Sequence, residues 1–176
     1  SFTILLIVFF LFKEAGGLFN TPATEEGYVL AVNKSNDVGK LSPEKIMDIF
    51  DGNITNWKDI SGMDQDILIF RFSDLTNYYT EEELGDEFQY VPQKISELVA
   101  KEPGIIAFFP KQYLLENGFQ GKVLPEEKIT LGEFFGGTKW YPTSTPAPIF
   151  GLIPLLLGTL LVSIGAIVLS LPFGIA

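Results

Sequence analysis

Asp64 and Asp66 stand one residue apart, close enough to share a hard cation through oxygen ligands. Their spacing falls well short of a calcium loop, which spreads its donors over about 12 residues around a glycine turn. Trp57, in Asn-Ile-Thr-Asn-Trp-Lys-Asp-Ile, offers a ring of the kind that stacks on sugars. The competing reading is a tryptophan that caps a small core, its N–H bonded locally. Glu81-Glu82-Glu83 and Asp86-Glu87 read as a solvated helix face, and Tyr78, Tyr79, Phe88 and Tyr90 as core and rim. Arg71 is the only arginine; taken alone it pairs with a nearby carboxylate or snorkels from a strand end. Histidine and cysteine are both missing. That removes an imidazole base, a serine-type triad, an ordinary zinc centre and a disulfide framework. No catalytic residue, metal ligand or cofactor is assigned, and enzymatic chemistry is not expected.

These residues sit between two apolar ends. Residues 140–176 carry no charge, and from Phe150 the chain reads FGLIPLLLGTLLVSIGAIVLSLPFGIA. A bilayer core about 30 Å thick needs roughly 20 apolar residues of helix, so residues 149–176 are expected to span a membrane. Gly151, Gly158 and Gly165 recur every seven residues, with Ala166, Ser170 and Gly174 four apart. Small residues on one stripe let helices approach closely, so this helix is expected to pack in a bundle rather than stand as a lone anchor. Trp140 and Tyr141, at the start of the run, suit the interfacial aromatic belt among lipid headgroups. The run from Phe2 to Phe12 is too short to span and lacks the basic start of a signal peptide. Residues 1–19 are therefore expected to be the C-terminal part of a first transmembrane helix, and the chain a fragment of a longer protein.

All 12 Lys and Arg and all 22 Asp and Glu lie between Lys13 and Lys139, so the net charge of −10 belongs to the middle. Such a balance argues against nucleic acid and against docking on anionic lipid. Residues 25–128 suffice for one small core. Tyr28–Asn33, Ile67–Phe72 and Ile105–Phe109 read as strands, with Val123-Leu124 as a fourth. Leu41–Phe50 reads as a helix capped by Ser42, with Pro43 in its first turn, Ile46, Ile49 and Phe50 on one face, and Gly52 at its end. Pro92–Ala100 reads as a second, with Ile95, Leu98 and Val99 inward and Pro103-Gly104 as its stop. Strands alternating with helices predict a parallel or mixed sheet with helices against it. Residues 129–148, with Thr-Ser-Thr-Pro-Ala-Pro at 143–148, read as a stiff linker or re-entry segment.

The C-terminal stretch resembles the phosphate ABC transporter permease family (PstC). Phe135, Gly136, Trp140 and Pro142 match its segment just outside the membrane. Gly151, Leu152, Pro154, Leu155, Gly158, Thr159, Leu160, Leu161 and Val162 match the helix that follows. The middle resembles one lobe of the phosphate-binding protein family (PstS), a type II periplasmic binding protein. The matching residues are Val32-Asn33, Leu41-Ser42, Ile49-Phe50, Gly52, Ile54-Thr55-Asn56-Trp57, and Pro103, Gly104 and Ile106. Together they imply a membrane α-helical protein with two transmembrane helices and an inserted α/β domain. The resemblance places the insert on the extracytoplasmic side of the cell (inner) membrane, in a multi-pass permease. It implies a second permease subunit, an ATP-binding subunit that supplies the energy, and a phosphate-binding protein as partners.

In the binding-protein family an arginine at the end of this strand type reaches the phosphate, and Ser-Gly-Thr opens a helix whose N–H groups cradle it. Arg71 matches the arginine; the Ser-Gly-Thr is replaced by Phe72-Ser73-Asp74-Leu75-Thr76-Asn77. By resemblance Arg71, Ser73 and Thr76 are the candidate phosphate contacts, with Asp74 placed to repel a second anion. Two functions follow: a permease whose lobe captures inorganic phosphate or docks the binding protein, or a ligand-free interaction or sensing module on a membrane scaffold.

Overall fold

The computed structural model describes residues 22, 24–126 and 128–175, together with Leu6, Phe9, Phe10 and Lys13. The first membrane helix expected over residues 1–19 lies, those four positions apart, outside the described residues. The chain divides into two compact units, one of residues 22–127 with 145–147, the other including 128–144 and the chain from Pro148 onward.

In the first unit β1 (Tyr28–Asn33) is followed by α1 (Pro43–Phe50) and β2 (Leu68–Arg71). Two four-residue helices, α2 (Leu75–Tyr78) and α3 (Glu81–Leu84), precede α4 (Val91–Lys101). Strands β3 (Ile105–Pro110) and β4 (Gly121–Val123) complete the sheet. Its order is β2-β3-β1-β4, with β2 parallel to β3, and β1 antiparallel to both β3 and β4. The sheet is mixed because β1 turns back against both neighbours, with Ala31 opposite Ala107 on one side and Val123 on the other.

Strands β1 and β3 read as unbroken apolar runs because both faces of the sheet are covered. Side chains alternate across a strand. Val29, Ala31, Ile105, Ala107 and Phe109 therefore join the core under α4, with Ile95, Leu98 and Val99. Leu30, Val32, Ile106 and Phe108 join the core under α1, with Ile46, Ile49 and Phe50. Ser42 caps α1 by accepting the Lys45 N–H at 3.4 Å, and Gly52 supplies the positive φ of +77° after its end. The end of α4 is held by Asn33, whose Nδ2 donates to the carbonyls of Val99 and Ala100 at 2.8 and 2.9 Å. Those carbonyls have no partner within the helix, so one buried amide fastens the end of β1 to the end of α4.

Trp57 is fully buried and donates its Nε1–H to the carbonyl of Gly104 at 2.8 Å, 47 residues along the chain. It is a core residue, and its bond is long-range rather than local. The same carbonyl accepts the N–H of Leu68 at 3.0 Å, the point where β2 joins β3. A Cβ at Gly104 would overlap the backbone carbonyl oxygen of Asp66. Only glycine lets these two backbones meet.

The second unit differs from the expected linker. Over residues 129–148 the structure forms α5 (Leu131–Gly136), capped reciprocally by Thr130 and Glu133, then β5 (Trp140–Tyr141). That strand pairs with β6 (Ile149–Phe150), and the rings of Trp140 and Phe150 meet edge to face at 5.6 Å. Within the first unit, Pro146 and Ala147 are buried, and the Pro146 carbonyl accepts the Glu25 N–H at 2.9 Å. This part of the expected linker is thus core. Helix α6 (Ile153–Ile175) is the one helix among the described residues long and apolar enough to cross a membrane. Its Ile153–Leu171 stretch has a mean hydropathy of 2.3, and none of it is buried within the chain. Gly151 lies before α6 rather than on its packing stripe, with its backbone against that of Gly137. A Cβ on Gly158 or Gly165 would meet nothing within 4 Å.

Gly104→Ala should lower stability by about 1–3 kcal/mol, because backbone rather than a flexible side chain must yield. Trp57→Phe, which removes one buried donor and leaves Leu68 on the same carbonyl, should cost about 1 kcal/mol. Urea unfolding of both variants checks the order; Trp57→Phe as the more damaging change would refute it.

Candidate functional site

Arg71 ends β2, and residues 72–74 make a tight turn into α2. This brings Arg71, Ser73 and Asp74 together, while Thr76 lines a cleft with Glu81 and Glu82. The Asp74 carboxylate accepts the Arg71 backbone N–H at 3.2 Å and the Ser73 hydroxyl at 3.3 Å. The Arg71 guanidinium turns to α1, where Nη2 donates to the Phe50 carbonyl at 2.9 Å and the group lies over the Phe50 ring at 5.0 Å from its centroid. The carboxylate pairing read from the sequence is not made: among the described residues the guanidinium, at the exposed end of β2, meets a helix-end carbonyl and a ring. A cation at a helix C-terminus is favoured by the unpaired carbonyls there.

A resident anion, Asp74, therefore takes the Ser73 hydroxyl and the Arg71 backbone N–H, while the Arg71 guanidinium is turned to Phe50. At about 4 Å, near a protein surface, two like unit charges repel by roughly 4 kcal/mol. Helix α2 has four residues, so its dipole and free N–H groups offer little in return. Asp64 and Asp66 are also separately engaged, the first 3.8 Å from Lys58 Nζ, the second accepting Asn56 Nδ2 at 2.9 Å.

Thr76 lines an open cleft of about 710 Å³ with Glu81, Glu82, Asp86, Glu87, Phe88 and Tyr90. Sequence reasoning gave these residues to a solvated face and a rim. The signal it passed over is Gly85 before a pair of aromatics: Gly85 has a φ of +75°, and a Cβ there would crowd the Tyr90 ring within 3 Å. Nearby, Thr80 and Glu83 cap α3 reciprocally, with Glu83 accepting the Thr80 N–H at 2.9 Å. The Thr80 backbone and then its hydroxyl hold the Glu83 carboxyl below its ordinary 4.5, helped by Lys94. Tyr79 donates to the Lys94 carbonyl at 3.1 Å. Burial first, then the carboxylates of Glu97 and Glu83, push its phenol above 10.0.

A mixed sheet covered on both faces, with helices supplied between strands, is the architecture of a periplasmic-binding-protein-like α/β lobe. A model of the PBP superfamily domain matches residues 9–157, and the chain belongs to that superfamily. Among solved structures it is similar to an ABC-type phosphate transport receptor from Vibrio cholerae, at 23% identity and a TM-score of 0.43, covering 62% of this chain and 50% of that one. It is also similar to a putative phosphate ABC transporter substrate-binding protein with bound phosphate from Clostridium perfringens, at 22% identity and a TM-score of 0.40, covering 59% and 46%. The chain spans about half the length of these structures.

Arg71→Ala should destabilise the lobe by about 1–2 kcal/mol, through loss of a charge-assisted bond and a ring contact. Denaturant midpoints check this. The raised phenol of Tyr79 makes a separate prediction. A group raised on folding stabilises fully below its unfolded value, so stability should fall as pH climbs past about 10 toward the folded value. Tyr79→Phe should abolish that alkaline loss in thermal melts; a melt as alkali-sensitive as the parent's would refute the assignment.

Proposed function

We propose that this chain is part of the permease subunit of an ABC importer for inorganic phosphate, and that its lobe docks the phosphate-binding protein instead of holding phosphate by itself. Three lines support the transport half: membership of the binding-protein superfamily, the permease-type residues from Phe135 to Val162, and an α6 whose apolar length suits a bilayer. In this reading α6 spans the cell membrane, Trp140 and Tyr141 lie near the headgroups, and the lobe faces the extracytoplasmic side. The chain makes no covalent chemistry; a separate subunit hydrolyses ATP, and a second permease subunit completes the path.

One observation carries the docking half: Asp74 accepts the Ser73 hydroxyl and the Arg71 backbone N–H, and the Arg71 guanidinium is turned to the Phe50 carbonyl. A lobe that satisfies its own anion site is built to hold a shape.

Calorimetry on the full chain in neutral-lipid nanodiscs tests the docking half against capture. Phosphate alone, titrated to about millimolar concentration, should give no heat in the parent or in Arg71→Ala, whereas the purified phosphate-binding protein should bind at about micromolar affinity. Phosphate heat that disappears in Arg71→Ala would replace docking with capture. No heat from the binding protein would remove docking.

A further inference from the structure

The cleft beside Thr76 is a groove with an aromatic wall and an acidic rim. Phe88 and Tyr90 are 48% and 50% exposed, large apolar rings left at the surface. Glu87 and Phe88 both have positive φ, 54° and 62°, a conformation that non-glycine residues rarely adopt and that here turns the segment outward. The Tyr90 ring lies against Gly85, in space that any side chain would fill. The wall is thereby preformed. Around it stand Glu81, Glu82, Asp86 and Glu87, and among the described residues none of the four is in an ion pair. Unneutralised carboxylates around a concavity concentrate negative potential inside it.

We infer that this groove is the docking surface of the lobe, and that it takes an extended basic segment of a partner protein, with Lys or Arg side chains laid over Phe88 and Tyr90. A cation over an aromatic face gains from both the ring and the carboxylates beside it. Exposed rings ringed by charge are also the composition of an interface anchor. A second copy of this chain is a poor occupant, because each carries a charge of −10. Phosphate and anionic headgroups are repelled for the same reason. The inference rests on the docking reading for its partner, but the groove's chemistry can be tested apart from it.

The probe is a fluorescein-labelled hexa-arginine peptide, followed by anisotropy with the full chain in neutral-lipid nanodiscs. Phe88→Ala with Tyr90→Ala should weaken binding about tenfold without changing any charge, as should Glu82→Gln with Asp86→Asn. Phe88→Leu with Tyr90→Leu, which keeps apolar bulk, should lose as much as the alanine pair if rings carry the contact. Glu44→Gln with Glu116→Gln, exposed carboxylates on other elements, should change binding less than about twofold. Melting temperatures identify any variant that has lost its fold, and the leucine pair then decides. Equal loss in the Glu44/Glu116 pair, or none in the ring variants, would overturn the groove, as would concentration-dependent self-association abolished by the ring variants. The same variants are then titrated with the phosphate-binding protein. Unchanged binding there, with the peptide lost, would move docking to another face and overturn the inferred partner while leaving the docking reading intact. No binding by the parent would end the docking reading, with the peptide series still judging the groove.

Discussion

The lobe depends on the contact between the backbones of Gly104 and Asp66. With no side chain at 104, its carbonyl can receive both the indole of Trp57 and the first N–H of β2. That single oxygen ties the hairpin-like excursion between α1 and β2 to the start of β3. It sets the parallel register of Leu68 against Ile105, hence which face each side chain of β2 and β3 enters. Since a slip of one residue would exchange the two faces, both cores depend on it.

The second organising constraint is that both faces of the sheet are buried. Helices α1 and α4 cover them, and Asn33 locks the end of β1 onto the end of α4. The segment between β2 and α4 sends Leu75 and Leu84 into the core under α4 and leaves its acidic residues at the surface. There the chain builds two four-residue helices, α3 closed by the Thr80–Glu83 cap, and there it places the exposed Phe88 and Tyr90 beside Glu81, Glu82, Asp86 and Glu87. A rigid scaffold with a chemically distinct loop is the usual division between fold and recognition.

An anion site and a docking surface make opposite electrostatic demands, and the turn after β2 sets a carboxylate beside the donors of the first. One carboxylate, Asp74, completes the turn by accepting from Arg71 and Ser73, so local folding energy is gained from the donors an oxyanion would need. Arg71 becomes a brace between β2 and α1. Thr76, one turn further on, joins an acidic cleft. The Ser-Gly-Thr of the resemblance is thus replaced by a turn closed on Asp74, with the sheet and helices around it in place.

Much of the architecture was legible in the chain itself. The apolar runs of β1 and β3, the Ser42-Pro43 start of α1, the inward faces of α1 and α4, and the uncharged length of α6 are local properties, set by periodicity, capping and composition. Of α3 only the solvated acidic face was legible, and α2 and α5 were not, because four to six residues carry no measurable period and the caps of α3 and α5 depend on side chains meeting in space. The burial of Pro146 and Ala147 in the lobe, and the close backbones of Gly137 and Gly151, were hidden for a similar reason: sequence-distant packing decides them. So it was with the candidate site. The sequence by itself determined that Arg71, Ser73, Asp74 and Thr76 would be near one another. Only tertiary structure decided that Arg71 would reach back to Phe50, that Asp74 would take its N–H, and that Thr76 would face carboxylates, because hydrogen bonds are made across whatever surfaces the fold brings together.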